Sequence, residues 1–326
     1  MSGKFISIII PAYNSIRTMK KCVESILALN YPAAEYEAII VDDGSTDGTP
    51  AVLEKYKDNL NLKIIRLPNG GPSKARNIAI KQARGEFVAF TDSDCILDRE
   101  WLNNLMKGFD TEGRVMGVGG DQLSPVDETE FGTQLNDFLK LIGFISDYVK
   151  EYSGVKPAVM RETEHNPTCN VIYRKEIFEK AGFFSEDLWP GEDVELDYKI
   201  RKLGYTLIFN PAAIVFHYRP SGIKGFSKMM FRYGKVQAIL AKRYGFFRKI
   251  HYVPFLLLFF IMLYLLTAML KPAALLLLLF LQTAVFWFYF TENTKKPGLG
   301  VRYTWLLTLT VASWNAGFAA GVFSKK

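Results

Sequence analysis

Glu86-Phe87-Val88-Ala89-Phe90-Thr91-Asp92-Ser93-Asp94 runs from an apolar stretch straight into two carboxylates two residues apart. Residues 86–91 have the length and composition of a buried strand, so Asp92 and Asp94 emerge together at its carboxyl end. Open α/β sheets hold their ligands at that end. Two oxygen donors so close, in a chain with only three histidines, suit a hard divalent cation such as Mg²⁺ or Mn²⁺, which would in turn hold a diphosphate. Taken alone, the tripeptide is better explained by a turn at Asp92 and a helix cap at Asp94. Its meaning depends on the segments around it.

Those segments repeat the pattern. Short β-branched runs at 5–10, 37–41, 62–67 and 86–91 alternate with helix-like stretches at 18–29, 49–56, 73–83 and 100–109. This alternation predicts βαβ units, a mostly parallel sheet and an α/β fold class. A further run at 115–120 is expected to continue the sheet, 131–148 has helical spacing, and strands are expected at 168–173, 206–209 and 214–217, with a helix over 194–203. Each early strand ends in a polar segment: Pro11-Ala12-Tyr13-Asn14, Asp42-Asp43-Gly44-Ser45-Thr46-Asp47-Gly48-Thr49, Gly70-Gly71-Pro72-Ser73-Lys74-Ala75-Arg76-Asn77, and Asp92-Ser93-Asp94. A turn explains each singly, but turns alone do not require one shared rim, and a nucleotide pocket does. Tyr13 is suited to stacking on a base, Asp43 to accepting a base or ribose hydrogen, and Arg76 to pairing with phosphate in fork geometry. Pro11, Asn14, Gly71 and Ser93 complete the expected nucleotide-binding set. No Walker phosphate loop and no G-x-G-x-x-G after a strand occur, which argues against triphosphate hydrolysis and dinucleotide redox chemistry.

A second acidic group, Gly191-Glu192-Asp193-Val194-Glu195, opens the helix expected near 194. Asp193 or Glu192 would serve either as its cap or as a general base that takes a proton from an attacking hydroxyl. His217, ending the last expected strand, reads equally well as a structural histidine.

Charge divides the chain. Up to Asp197 there are 22 Lys and Arg against 32 Asp and Glu, a net of −10; beyond it 18 basic residues face the single acid Glu292, a net of +17. A basic tract with embedded apolar runs favours an anionic membrane over nucleic acid. Residues 253–270 and 273–290 carry no charge over 18 residues each, just enough to cross a hydrocarbon core of ~30 Å. A third run, 301–323, has only Arg302 and a small-residue stretch at Ala316-Gly317 and Ala319-Ala320-Gly321 that would allow close helix packing. None of the three shows an amphipathic stripe by sequence. Lys242, Arg243, Arg248, Lys249, Lys295, Lys296 and Arg302 flank the spans, which places these loops and the amino-terminal domain on the cytoplasmic side. The same rule disfavours the external position that three spans give Lys325 and Lys326. Residues 222–244, with no acid and several aromatics, are expected to form a membrane-surface helix within a basic amphipathic juxtamembrane segment over 222–251. No signal peptide is read at the amino terminus, and Cys22, Cys95 and Cys169 form an odd set with no metal spacing, as in a reducing compartment.

In their order and spacing, Pro11-Ala12-Tyr13-Asn14, Asp42 to Thr49, Ala75-Arg76-Asn77, Asp92-Ser93-Asp94 and Glu192-Asp193 resemble the family 2 glycosyltransferases with the GT-A fold. The likeness covers about residues 5–217. It implies that Pro11, Tyr13 and Asp43 hold a nucleotide, that Asp94, with Asp92 nearby, binds Mn²⁺ or Mg²⁺, and that Asp193 is the base of a single inverting displacement. It further implies that Thr168-Cys169-Asn170 is an acceptor-side strand and that His217 joins the metal or the diphosphate. The Q-x-x-R-W signature of processive members has its nearest match in Met229-Met230-Phe231-Arg232-Tyr233, which puts polymer synthesis in doubt while leaving Arg232 as a possible diphosphate contact. The expectation is a GT-A domain over 1–221, a juxtamembrane segment over 222–251 and a transmembrane domain over 252–326. Such an integral membrane enzyme would move one sugar from GDP-mannose or a UDP-hexose to a hydroxyl of a lipid-linked glycan or glycolipid at the cytoplasmic face. A polyprenyl or dolichyl phosphate acceptor is the enzymatic alternative, for which no base is needed; a non-catalytic nucleotide-sugar-binding membrane protein is the other.

Overall fold

A computed structural model describes residues 4–111, 114–144 and 159–324. The elements run β1 (Ile6–Ala12), α1 (Met19–Leu27), β2 (Tyr36–Asp42), α2 (Thr49–Glu54), β3 (Leu62–Arg66), α3 (Pro72–Gln82), β4 (Phe87–Phe90), β5 (Cys95–Leu97), α4 (Trp101–Lys107), β6 (Val115–Leu123), α5 (Glu130–Leu141), β7 (Arg161–Glu162), β8 (Val171–Arg174), α6 (Ile177–Ala181), α7 (Glu192–Lys202) and β9 (Thr206–His217). Four long helices follow: α8 (Ile223–Tyr244), α9 (Val253–Leu270), α10 (Pro272–Thr294) and α11 (Pro297–Val322).

β1 is buried along all seven residues because it lies inside the sheet and is covered on both faces. Ile6, Ile8 and Ile10 face one apolar layer with α1 and α4, while Ile9 joins Ile39 and Val41 under α3 and α7. Each such side chain removed from water contributes roughly 1.5–3 kcal/mol. Pro11 is tolerated in this central strand because β4 pairs only as far as Ile9 opposite Phe90, so its missing N–H deprives no ladder partner.

The sheet order is β3-β2-β1-β4-β8-β6-β9-β5, with β7 beside β9. The half from β3 to β4 is parallel, as expected. The other half is mixed: β8 runs antiparallel between β4 and β6, so the run at 115–120 does not continue the parallel sheet next to β4. The two strands expected at 206–209 and 214–217 are one strand, β9, whose register against β6 slips between Gly120 and Asp121. A Cβ on Gly120 would meet the carbonyl oxygen of Ala213, so the extra residues of the bulge fit only over a glycine.

The chain divides into two compact units, residues 1–136 with 155–219, and 137–154 with 220–326. The boundary expected at 221 therefore falls after Arg219, and α5 begins in the first unit and ends in the second. The carboxyl end of the segment read as helical at 131–148, and Lys325 and Lys326, lie outside the described residues.

In the second unit Phe138 is ringed by Phe226, Phe290 and Tyr303, with centroids 6.3, 5.9 and 5.7 Å away. Two helical segments, Lys249–Leu270 and Pro272–Thr294, are long and apolar enough to cross a membrane, with 0% and 6% of their most apolar windows buried. The third expected span is different. α11 is a helix, but it buries Tyr303, Leu306, Thr310, Trp314, Gly317, Phe318 and Gly321, a stripe at helical spacing that the sequence reading had not found. A Cβ on Gly317 would strike the carbonyl oxygen of Phe231, and one on Gly234 that of Trp314. α8 and α11 thus meet backbone to backbone through glycines, and the buried side of α8, expected to rest on a membrane surface, is covered by α11 instead.

Candidate active site

The carboxyl ends of β1 to β4 share one rim because the four strands are parallel, and backbone-directed side chains tie the loops beyond them together. Asn14 adopts a left-handed φ of 51°, which Asn tolerates better than most residues. From there its Oδ1 accepts the N–H groups of Thr46 at 2.8 Å and Asp47 at 3.3 Å, and its own N–H donates to Ser45 Oγ at 2.9 Å. Ser15 N–H donates to Thr49 Oγ1 at 2.8 Å, and Ser15 Oγ lies 2.6 Å from Ser93 Oγ. Asp43 accepts the N–H groups of Gly70 at 2.9 Å and Gly71 at 2.8 Å. Gly71 needs to be glycine, with φ at 90°. Asn14 and Asp43, expected against a nucleotide, are thus shown bracing the rim. Tyr13, 51% exposed beside them, is left with an open ring face.

Arg76 corrects the expectation more sharply. It is 3% exposed, and both terminal nitrogens are engaged: Nη1 donates to Glu192 Oε1 at 2.6 Å and Nη2 to Asp92 Oδ1 at 2.8 Å, while the buried Nε has no partner among the described residues. No free phosphate fork is presented. The guanidinium instead fastens the two acidic motifs, far apart in sequence, to each other through charge-assisted bonds. Glu192 Oε2 is buried and has no partner among the described residues. Burial, reinforced by Asp193 and opposed by Arg76, carries the Glu192 carboxyl up to about 7. Glu192 is therefore a structural partner of Arg76 and not the helix cap.

The metal-competent group is assembled by the bulged half of the sheet. Cys95, immediately after Asp94, pairs with His217 in the antiparallel β5–β9 ladder, so the imidazole comes over the end of the acidic motif. His217 Nε2 lies 3.4 Å from Asp94 Oδ1. Donor atoms of Asp94, Cys95 and His217 all lie within 4.8 Å of one another. Asp92, expected as a ligand beside Asp94, is not in this group; its Oδ1 is on Arg76. Cys95, set aside by the sequence reading, is in it. Nδ1 of His217 faces Gln122 Oε1 at 3.1 Å, the outer contact that orients a ligating imidazole. Burial opposes ionisation of Asp94, but His217 outweighs it and holds the carboxyl below its ordinary value. Burial likewise opposes the imidazolium of His217, and Asp94 outweighs it, raising the ring to about 10. A pair that holds its charges this strongly would exchange a proton for a cation. Carboxylate, imidazole and thiol together fit a divalent cation of the first transition row.

Asp193 stands at the start of α7, behind Gly191 at a φ of 109°. Its Oδ1 accepts the N–H of Val194 at 2.8 Å, and its Oδ2 takes only a long bond of 3.3 Å from Thr168 N–H. A weakly engaged carboxylate oxygen at a helix N-terminus is suited to accept a proton. The segment expected as an acceptor-side strand, 168–170, precedes β8 instead. Asn170 there braces the fold, donating to the carbonyls of Asp121 and Ala213 and accepting Trp101 Nε1–H. Arg232 sits on α8 in the second unit. The sequence reading missed Gln122, His165, Asp197 and Arg219. Asp197 alone had a signal, lying one helical turn beyond Asp193.

Residues 7–182 match the family model described as Glycosyl transferase family 2. The chain belongs to that family. It is 32% identical over 237 residues to glycosyltransferase AglE of Haloferax volcanii, covering 72% of this chain and 73% of that protein. It is 28% identical over 266 residues, 78% and 79% of the two chains, to the dolichyl N-acetyl-α-D-glucosaminyl phosphate 3-β-D-2,3-diacetamido-2,3-dideoxy-β-D-glucuronosyltransferase of Methanococcus voltae. In fold it is similar to the mannosyltransferase PcManGT of Pyrobaculum calidifontis, whose structure holds GDP-Man and Mn²⁺, with a TM-score of 0.69 at 20% identity over 99% of this chain and 88% of that one. The family 2 domain thus has the GT-A architecture, and the protein is a glycosyltransferase.

Proposed function

We propose that this family 2 enzyme is an inverting hexosyltransferase of the cytoplasmic membrane face. It moves one sugar from GDP-mannose or a UDP-hexose to a hydroxyl of a lipid-linked glycan or glycolipid. The observation that carries the reading is the division of labour among the carboxylates: Asp94 is drawn to His217, Asp92 and Glu192 are bound to Arg76, and Asp193 is held by neither, with Oδ2 on a long bond from Thr168 N–H. The M. voltae relative, by its name, acts on a dolichyl phosphate-linked sugar. The apolar helices and the basic residues around them support a membrane setting with the first unit on the cytoplasmic side.

Asp193 accepts the proton of the acceptor hydroxyl as its oxygen bonds to the anomeric carbon and the bond to the diphosphate breaks on the opposite face. Asp94 and His217, with Cys95, would hold Mn²⁺ in preference to the Mg²⁺ that an all-oxygen site would take, and the ion would neutralise charge on the departing diphosphate. Tyr13 offers its ring to the base. Arg76 keeps Asp92 and α7 in place throughout.

The test uses the full chain in detergent with Mn²⁺ and a panel of labelled GDP-mannose and UDP-hexoses, offered either a dodecyl glycoside or a polyprenyl phosphate. Transfer to the glycoside, with loss in Asp193→Asn of about 10²–10⁴-fold in kcat and retention of the nucleotide-induced rise in Tm, is expected. Transfer to polyprenyl phosphate alone, indifferent to Asp193→Asn, would replace the hydroxyl acceptor with a phosphate.

A further inference from the structure

We propose that His165 is the proton relay of Asp193, held in its working tautomer by Asp197; the inference rests on the reading of Asp193 as the base. Asp197 is fully buried on α7. Its Oδ1 accepts the hydroxyl of Tyr173 at 2.7 Å, and its Oδ2 accepts the N–H of Asn166 at 2.8 Å and lies 2.9 Å from His165 Nδ1. The first two partners are donors, and a carboxylate so placed has only acceptor sites to offer His165. The hydrogen is thereby fixed on Nδ1, and Nε2 is left with its lone pair.

Nε2 is the ring nitrogen that stands near the base. Nε2 lies 4.0 Å from Asp193 Oδ2, the carboxylate oxygen that carries only the long bond from Thr168. The separation exceeds a hydrogen bond in the resting protein, and a small rotation of Asp193 closes it once that oxygen gains a hydrogen to donate; catalytic contacts commonly tighten only in the loaded enzyme. His165 is also 21% exposed at its side chain while Asp197 is closed off, so the relay has an outlet to water that its anchor lacks.

The steps balance. The acceptor O–H breaks as its oxygen bonds to the anomeric carbon and the sugar–diphosphate bond breaks, and the proton goes to Asp193 Oδ2. The Oδ2–H bond then breaks as Nε2–H forms. The resulting imidazolium donates from Nδ1 to the Asp197 carboxylate, as aspartate-held histidines do, until Nε2 gives its proton to water. Asp193 is a carboxylate again, and one proton has left for each sugar moved. The groups facing the relay are Asp193 and Asp197 from α7 and Tyr173 from β8, with the Arg76–Glu192 pair beside Asp193 and the Glu164–Arg201 ion pair beside the loop.

The experiment compares wild type, His165→Gln and His165→Asn as full chains in detergent, using labelled GDP-mannose or UDP-hexose, Mn²⁺ and a dodecyl glycoside. Both variants are expected to lose ~10²-fold in kcat, to keep the donor KM and the Tm rise given by nucleoside diphosphate with Mn²⁺, and to show a larger solvent deuterium isotope effect. Variants that keep wild-type kcat and its solvent isotope effect overturn the relay and leave the base reading intact. Variants that lose nucleotide binding together with rate make His165 structural and also overturn it. A wild type that binds nucleotide but transfers to no hydroxyl overturns both readings.

Discussion

Arg76 shows how one side chain decides what its neighbours are available to do. Buried against Asp92 and Glu192, it removes both from the list of free carboxylates and leaves Asp94 and Asp193 for metal and proton. Arg76→Met should lower stability by roughly 3–5 kcal/mol, because removing one partner leaves charge uncompensated in the interior. Urea midpoints at neutral pH measure this, and an unchanged midpoint would mean that the triad is dispensable. Glu192 yields a prediction with a definite sign. Its folded-state carboxyl, at about 7, lies above the ordinary 4.5. Below 4.5 both folded and unfolded states hold the proton and Glu192 contributes no pH dependence. As pH rises from 4.5 to 7 the unfolded chain releases its proton first, so stability falls, by about 3 kcal/mol at ~1.4 kcal/mol per pH unit. Glu192→Gln should flatten that part of the stability profile. A profile identical to wild type would remove Glu192 as its source.

At the scale of elements, glycines set how closely backbones approach. In the first unit Gly120 admits the β9 bulge that brings His217 opposite Cys95. In the second, α8 and α11 touch through Gly234, Gly317 and Gly321, the small-residue approach that apolar surroundings favour. Gly317→Ala should lower the Tm of the full chain despite the helix propensity of about 1 kcal/mol gained over glycine, because its Cβ meets the Phe231 carbonyl. Gly298, with open space around its Cβ position, is the control, and Gly298→Ala should leave Tm the same or higher. Equal responses at the two positions would contradict the packing described for α8 and α11.

For the whole molecule, the proposed function places the acidic first part and the basic, apolar remainder in different surroundings. The chain should stay with the membrane pellet after an alkaline carbonate wash, as spanning helices do; release into the supernatant would reduce Lys249–Leu270 and Pro272–Thr294 to peripheral contacts. Much of this was legible in sequence. The alternation of β-branched runs and helices determined the parallel half of the sheet, since period and length act locally. The same locality put Tyr13, Asp43, Asp92 and Asp94 on one rim and marked the two exposed apolar helices. Partners set by long-range pairing were not legible. The antiparallel insertion of β8, the bulge that seats His217 beside Asp94 and Cys95, the closure of Arg76 on Asp92 and Glu192, and the His165–Asp197 pair behind Asp193 each join residues whose separation along the chain carries no periodic signal. The sequence determined which chemical groups stand at the ends of strands, because those ends are written in local pattern. Only the tertiary structure decided which of these groups is left free to react, because availability depends on who else has been folded against them.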